Sequence, residues 1–187
     1  MTIAAPALPV TTERLVLRAY RLDDVGATLA YYQDPDVARF LLTGPLDRAG
    51  AEEAVRFRCT RTSPSAPDEG LSLAVEHQGQ IVGDLVLNLR GEKLSIGEIG
   101  WVFNPTYGGQ GFATESAKAL IDLAFEHYRF HRVIAQLDAR NGPSARLCER
   151  LGMTREGHLR KDWWSKGEWT DTLVYGLLAE ELPAASS

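Results

Sequence analysis

Hydrophobic and polar residues follow two different spacings through the first third of the chain. Residues 13–20 alternate, which is the pattern of a strand with one buried face, and their apolar positions are Leu15, Leu17 and Ala19. Asp23 stands where it can cap a first helix, and Asp34-Pro35 can begin a second. A third helix is predicted over residues 47–61, where apolar side chains recur three and four positions apart. This region is therefore predicted to hold one strand followed by helices.

Three strand-like runs follow in the middle of the chain, beginning at Leu71, Ile81 and Leu94. The turn signals Gln78-Gly79 and Arg90-Gly91 separate these runs. Because the connections are so short, the three strands are predicted to form an antiparallel meander.

The spacing becomes helical again after the meander, and residues 113–128 are predicted to form the longest helix. Residues 132–139 are predicted to form a strand, and residues 143–151 are predicted to form a short helix that ends at Gly152. Two C-terminal strands are predicted on either side of the turn at residues 165–167. This order predicts an α+β fold with a central mixed sheet. One domain is expected over residues 1–187, ordered from about residue 10 to residue 182, with flexible ends that include the tail from Pro183.

Composition and charge exclude several classes of function. Hydrophobic residues make up 44% of the chain and the formal net charge is -5, with basic residues scattered, so no nucleic-acid partner is expected. Pro6 and Pro9 interrupt the apolar N-terminus, which also lacks a basic segment, and no apolar run is long enough to cross a bilayer. Neither a signal peptide nor a membrane partner is therefore expected, and the default location is cytoplasmic.

The cysteines, histidines and tryptophans suggest no metal and no covalent catalysis. Cys59 and Cys148 are far apart in sequence, and the four histidines lack metal-ligand spacing, so no metal site is expected. Cys148 falls on the apolar side of the short helix and is interpreted as a small buried residue, which disfavours an acetyl-cysteine intermediate. Three tryptophans could wall a pocket or a dimer surface, but aromatic residues in strands favour a core position; they are Trp163, Trp164 and Trp169.

A glycine-rich turn, YGGQGFAT at residues 107–114, separates the meander from the long helix. The first amides of a helix lack intrahelical acceptors and lie at the positive end of its dipole, so this turn can bind a diphosphate. A tight loop without a ligand is the simpler interpretation. A dinucleotide fingerprint is another, since Gly109 and Gly111 begin G-x-G-x-x-G and Asp138 could contact a ribose. However, Thr114 stands where the third glycine belongs, and the turn follows an antiparallel meander rather than a first βαβ unit.

The run GGQGFATE resembles the acetyl-CoA signature of the GNAT superfamily, Q/R-x-x-G-x-G/A, in which Gly111 and Ala113 match the last two fixed positions. Asn141 and Ser144 resemble the family's second motif, N-x-x-S before a leucine-containing helix. The opening TERLVLR and the closing LLAEEL resemble the branch that contains the ribosomal-protein N-terminal acetyltransferases. Gly108 departs from the pattern, because it replaces the Gln or Arg that normally helps to hold the loop or the pyrophosphate.

The resemblance implies a GNAT-like α+β fold, with a central mixed, mostly antiparallel seven-stranded sheet flanked by helices. It implies direct attack of a primary amine on acetyl-CoA in a ternary complex, without a metal. Glu98 is the first choice for the base and Asp162 the alternative, while Glu98 could also be a solvated strand residue. Ser144 would donate to the departing thiolate, or else cap the short helix, and an amide at residues 101–103 would polarise the thioester carbonyl. The residues expected to bind the cofactor are Val102, Phe103, Gly108, Gly109, Gln110, Gly111, Phe112, Ala113, Thr114, Asn141 and Ser144.

The acceptor amine and the assembly stay open at this level. The amine could belong to a protein N-terminus, to a small molecule such as an amino acid or polyamine, or to an antibiotic, and the negative net charge favours cationic acceptors. A monomer and a homodimer are both compatible with the sequence. A different class of function, a non-catalytic acyl-CoA-binding sensor or partner-binding module, is kept open by Gly108.

Overall fold

A computed structural model describes residues 5–64, 69–90 and 95–182 of the chain. These residues build one eight-stranded sheet in the order β1-β2-β3-β4-β5-β6-β8-β7. Every neighbouring pair is antiparallel except β5 and β6, which are parallel. The strands are β1 Val10–Thr11, β2 Val16–Ala19, β3 Gly70–His77, β4 Gln80–Arg90, β5 Ile96–Phe103, β6 Arg132–Asp138, β7 Thr154–Ser165 and β8 Glu168–Leu178.

The predicted mixed, mostly antiparallel sheet flanked by helices is confirmed. The strand beyond the predicted seven is β1, which has only two residues and pairs with β2. A two-residue strand is too short to show an alternating pattern, so the sequence could not reveal it. Three predicted features lie outside the described residues. They are the strand start at Leu94, the flexible N-terminal end before residue 5 and the tail from Pro183.

Five α-helices accompany the sheet within the described ranges: α1 Val25–Tyr32, α2 Pro35–Ala38, α3 Arg48–Thr60, α4 Phe112–Glu126 and α5 Gly142–Arg150. Asp34 caps α2 by accepting from the amide of Asp36 at 2.8 Å, and Asp47 caps α3 in the same way. The prediction that Asp23 caps α1 is wrong. A short 3-10 turn precedes this helix, and the buried Asp24 at its end pairs with Arg18 at 2.8 Å instead of capping α1.

The two faces of the sheet bury different side chains because successive strand residues point to opposite sides. The apolar face of α4 belongs to the larger core, where Leu85, Leu87 and Ile99 are buried with it. A smaller cluster involves α1 and α3, and its buried members include Tyr31 and Val55. Fully burying a side chain of this size contributes about 1.5–3 kcal/mol, so both layers hold the sheet in place.

The prediction that the C-terminal tryptophans are core residues is wrong. Trp163, Trp164 and Trp169 are 50%, 57% and 56% exposed. Pairing between β6 and β8 ends at Asp138 and Thr172, and β7 is the outer strand of the sheet. The tip of the β7–β8 hairpin therefore extends beyond β6, and the three tryptophan side chains on it remain exposed.

The helices of the described ranges include none that is long and apolar enough to cross a membrane.

Candidate active site

A cleft opens between the parallel strands β5 and β6. Their ladder contains three residue pairs and ends where Glu98 pairs with Ile134. Beyond this point β5 continues along β4 as far as Phe103, while β6 continues along β8 as far as Asp138. The side of β5 that faces β6 therefore has no ladder partner from residue 99 onward, and its backbone groups are available to a ligand.

A cavity of about 400 Å³ lies at this cleft. In an antiparallel pair, directly opposed residues point to the same side of the sheet, so Glu98, Gly100 and Val102 share a face with Asp84 and with other residues of β4. All four named residues line the cavity. A Cβ atom at Gly100 would come within 3.0 Å of Val86 Cγ2, so glycine keeps this part of the floor open.

The glycine turn leads from the end of β5 into α4 with an unusual backbone. Gly109 and Gly111 have φ values of +76° and +81°, which L side chains rarely adopt. Gly111 stands immediately before α4, and the first intrahelical bond runs from the amide of Glu115 to its carbonyl at 3.0 Å. Gly111 has no side chain that could cap the helix, so the amides at residues 112–114 can bind an anion at the positive end of the dipole.

Arg14 braces this turn from the segment between β1 and β2. Its Nη1 donates to the carbonyl of Gln110 at 2.9 Å, its Nη2 pairs with Glu115 at 2.7 Å, and its guanidinium lies 4.9 Å from the centre of the Phe112 ring. Burial raises the pKa of Glu115, but the hydrogen bonds from Thr12 and Arg14 outweigh burial and lower it. The sequence did not reveal Arg14 as a residue of the site, because nothing local to it indicates a partner in the turn.

Gly108 and Thr114, at the two ends of the predicted cofactor segment, have different surroundings. The amide of Gly108 donates to the carbonyl of Pro105 at 2.9 Å, and a Cβ atom at Gly108 would lie 3.0 Å from the same oxygen. The hydroxyl of Thr114 accepts from Arg150 Nε at 3.2 Å, which places a cation of α5 beside the first turn of α4.

The second motif connects α5 to the cavity. Asn141 caps α5, since its Oδ1 accepts from the amide of Ser144 at 3.2 Å. The alternative of Ser144 as the cap is therefore wrong. The Ser144 hydroxyl instead accepts from Trp101 Nε1 at 3.1 Å, and Asn141, Ser144 and Trp101 all line the cavity together with Glu98.

The two candidate bases have different positions. Glu98 lines the cavity and accepts from Arg90 Nε, with its side chain 17% exposed. Asp162 lies on the exposed part of β7, where it lines a shallow surface recess with His158 and Asp171. The structure thus brings Glu98 together with Ser144 and Asn141 around one cavity, and places Asp162 elsewhere.

A buried charged cluster that the sequence did not reveal contributes Tyr32, Arg58 and Asp84 to the lining of the cavity. Asp84 is fully buried and accepts from the hydroxyls of Tyr31 and Tyr32 at 2.7 and 3.2 Å. Burial raises the pKa of Asp84. Arg58 of α3 lies 4.0 Å from its carboxylate. The signal available in the sequence was an acidic residue in the middle of an apolar strand, IVGDLVL, which usually requires a partner.

Cys148 is buried in the main core, and burial raises the pKa of its thiol to about 12. A thiol with this pKa is a poor nucleophile at neutral pH. Across the described part of the chain, no group of three or more His, Cys, Asp or Glu side chains could hold a metal ion.

Comparisons with known proteins agree with this geometry. Residues 14–154 match the acetyltransferase (GNAT) domain family. The chain belongs to the GNAT acetyltransferase family. The Bacillus subtilis protein named uncharacterized N-acetyltransferase YnaD is 32% identical over 173 residues, which cover 92% of this chain and 98% of that protein.

Solved GNAT structures have the same fold. The structure of a GNAT-family acetyltransferase from Bacillus anthracis is 31% identical, with a TM-score of 0.82, and the match covers 93% of this chain and 100% of that one. RimL, a ribosomal L7/L12 alpha-N-protein acetyltransferase solved with coenzyme A, shares the fold at a TM-score of 0.79 and 17% identity, over 92% of this chain and 98% of that one. The protein is therefore an acetyltransferase with a GNAT fold.

Proposed function

We propose that the protein transfers the acetyl group of acetyl-CoA to a primary amine, by direct attack in a ternary complex. The observation that carries this proposal is the uncapped N-terminus of α4 behind Gly109 and Gly111, at the end of the strand that opens the cleft. The pyrophosphate of acetyl-CoA binds these amides, since such a helix terminus is a natural anion site. The structure of RimL with coenzyme A supports the choice of ligand.

The rest of the cofactor follows the cleft toward the cavity. Asn141 uses its Oδ1 to cap α5, so its amide nitrogen is left to donate to a carbonyl of the pantetheine arm. The thioester lies against the unpaired side of β5, where an amide of Val102 or Phe103 donates to its carbonyl oxygen. Gly108 lacks the Gln or Arg side chain that normally helps to hold this turn. Arg14 stabilises the turn instead, through its hydrogen bond to the carbonyl of Gln110.

The reaction forms a C–N bond and breaks the C–S bond. The amine nitrogen attacks the thioester carbon, and Glu98 accepts the amine proton, directly or through water. The thiolate that leaves accepts a hydrogen bond from the Ser144 hydroxyl and takes its proton from water, while Glu98 releases the amine proton to solvent. Because Trp101 Nε1 donates to Ser144 Oγ, one lone pair of that oxygen is occupied while its own proton stays free for the thiolate. Cys148 takes no part, since its thiol is buried and protonated.

The acceptor is a primary amine of a protein N-terminus or of a small molecule. The experiment is a calorimetric titration of the protein with acetyl-CoA, beside NADH and ATP, followed by a screen of amines for release of the CoA thiol. Binding of acetyl-CoA alone, together with amine-dependent thiol release, is the expected result. Binding without thiol release for any amine would favour a non-catalytic acyl-CoA sensor, and no binding of acetyl-CoA would refute the proposal.

A further inference from the structure

The guanidinium of Arg58 is a mostly buried cation on the wall of the cavity. Its side chain is 14% exposed and lies over the rings of Tyr20 and Tyr32, at 5.5 and 4.8 Å from their centres. Burial lowers the pKa of Arg58, but Asp84 and the neighbouring tyrosines outweigh burial and raise it, so the group stays charged. The stacking fixes the plane of the guanidinium, which is the geometry that recognises planar anions.

Most of the hydrogen-bonding capacity of Arg58 is unused by the described residues. A guanidinium has five N–H donors, and here Nη2 donates to Tyr32 Oη at 2.6 Å while the described residues provide no other acceptor. Asp84 does not fill this role, because it lies 4.0 Å away and its two oxygens accept from Tyr31 and Tyr32. Asp84 thus balances the charge of Arg58 but leaves its N–H groups to a ligand, and buried donors require acceptors.

The remaining charges around the cavity point to the same kind of ligand. The lining carboxylates of Glu98 and Asp138 already accept from arginines. Arg39, which also lines the cavity, is exposed and forms no salt bridge within the described ranges. Among the described residues, the charged side chains of the wall that still have hydrogen-bonding capacity for a ligand are therefore cationic, although the whole molecule is acidic.

We propose that the acceptor is a small amine that also carries a carboxylate, and that Arg58 binds this carboxylate. This inference rests on the proposed acetyl transfer, and it replaces the cationic acceptor expected from net charge with one that has an anionic group. A carboxylate matches the planar fork of the guanidinium with two parallel hydrogen bonds. A cavity of about 400 Å³ is of the size that takes a small molecule.

The position of Arg58 along the strands fits an acceptor of this length. Asp84, beside Arg58, is directly opposite Val102, and Gly100 lies two residues further along β5. Two residues of a strand span about 7 Å. An amine over Gly100 and a carboxylate at Arg58 can thus belong to one short amino acid, with the amine lying between the carboxylate and Glu98.

The test compares amino acids with their carboxamides, which keep the side chain and the α-amine. Thiol release from acetyl-CoA is measured for both series with the unaltered protein, with Arg58→Met and with Arg58→Lys. The unaltered protein is expected to prefer the acids by about tenfold or more in kcat/KM, the gain typical of a charged hydrogen bond. Arg58→Met should lose this preference, so that the ratio of kcat/KM for acids to that for amides falls to about one, and Arg58→Lys should keep part of the preference.

Two controls separate binding from folding. Arg48→Met changes an exposed arginine of the same helix, which pairs with Glu52, and should leave both series unaffected. Calorimetric titration with acetyl-CoA shows whether each variant keeps its cofactor site, and Arg58→Lys preserves the positive charge beside Asp84 in case Arg58→Met unfolds.

Equal rates for acids and amides in the unaltered protein would overturn the inference and leave the acetyl transfer standing. An equal loss for both series in Arg58→Lys, with acetyl-CoA binding intact, would also overturn it. No thiol release with any amine would instead refute the proposed transfer, and the inference with it.

Discussion

Replacing Gly111 by alanine tests whether the turn before α4 binds the cofactor. Gly111 has a φ of +81°, and a Cβ atom there would meet only Arg14 Nη2, at 3.4 Å. Gly79, in the turn between β3 and β4, offers a matched control: its φ is +77° and no atom lies within 4 Å of an added Cβ. An alanine in this conformation costs about 1–2 kcal/mol. Each variant should therefore lose a similar amount of stability, which lowers the Tm by about 2–8 °C for a chain of this size.

The two variants should differ in their affinity for acetyl-CoA. In Gly111→Ala the amides at the start of α4 shift or are screened from the pyrophosphate, and losing one charged hydrogen bond weakens binding by about 10- to 150-fold. Gly79→Ala should bind as the unaltered protein does. Thermal unfolding measures the first effect and calorimetric titration the second. Equal Kd values for Gly111→Ala and the unaltered protein, at the expected Tm shift, would refute the pyrophosphate site, and equal weakening in both variants would show a global effect.

Three further predictions address the base, the buried thiol and stability in acid. Glu98→Gln should lower kcat by about 10²- to 10⁴-fold with acetyl-CoA binding unchanged, and an undiminished kcat would rule Glu98 out as the base. Cys148, with a thiol pKa of about 12, should resist iodoacetamide at pH 8, while the half-buried Cys59 should react. Peptide mass spectrometry would measure both modifications. Acetylation of Cys148 by acetyl-CoA would contradict direct attack of the amine. Burial raises the pKa of Asp24, but Arg18 and Arg21 together outweigh burial and lower it. The stabilisation from Asp24 therefore exists above the ordinary pKa and is lost as the pH falls through the lowered value. Asp24→Asn should therefore unfold about 2 kcal/mol more easily at pH 7 and lose less stability in acid, measured by urea unfolding across pH.

The net charge of the molecule and the charges inside the cavity lead to different expectations for the acceptor. The formal charge of -5 describes the molecule as a whole, and it governs attraction from a distance. Inside the cavity, recognition depends on which donors and acceptors are already used. Glu98 and Asp138 are paired with arginines, while among the described residues Arg58 donates a hydrogen bond only to Tyr32. The sequence lists these residues but does not say which of them pair.

The sequence by itself determined the features that depend on neighbours along the chain. Asp34 and Asp47 cap α2 and α3, because a cap needs only an oxygen two or three residues before the amide it accepts from. The glycine turn and the long helix after it follow from φ requirements and from apolar spacing, which are also local. The same reasoning failed at Asp23, where a salt bridge of its neighbour Asp24 replaced the cap.

Only the tertiary structure decided which distant residues meet. The bond from Arg14 to Gln110 joins residues 96 positions apart, and the bond from Trp101 to Ser144 joins residues 43 positions apart. The cleft exists because the ladder between β5 and β6 ends after three residue pairs. The three tryptophans are exposed because the β7–β8 hairpin extends beyond the end of β6. Strand order, register and the end of each ladder are set by packing across the whole sheet. Alternation along a single strand contains no information about its partner, so the sequence predicted the elements and the glycine turn, while the fold assembled the cavity and its charges.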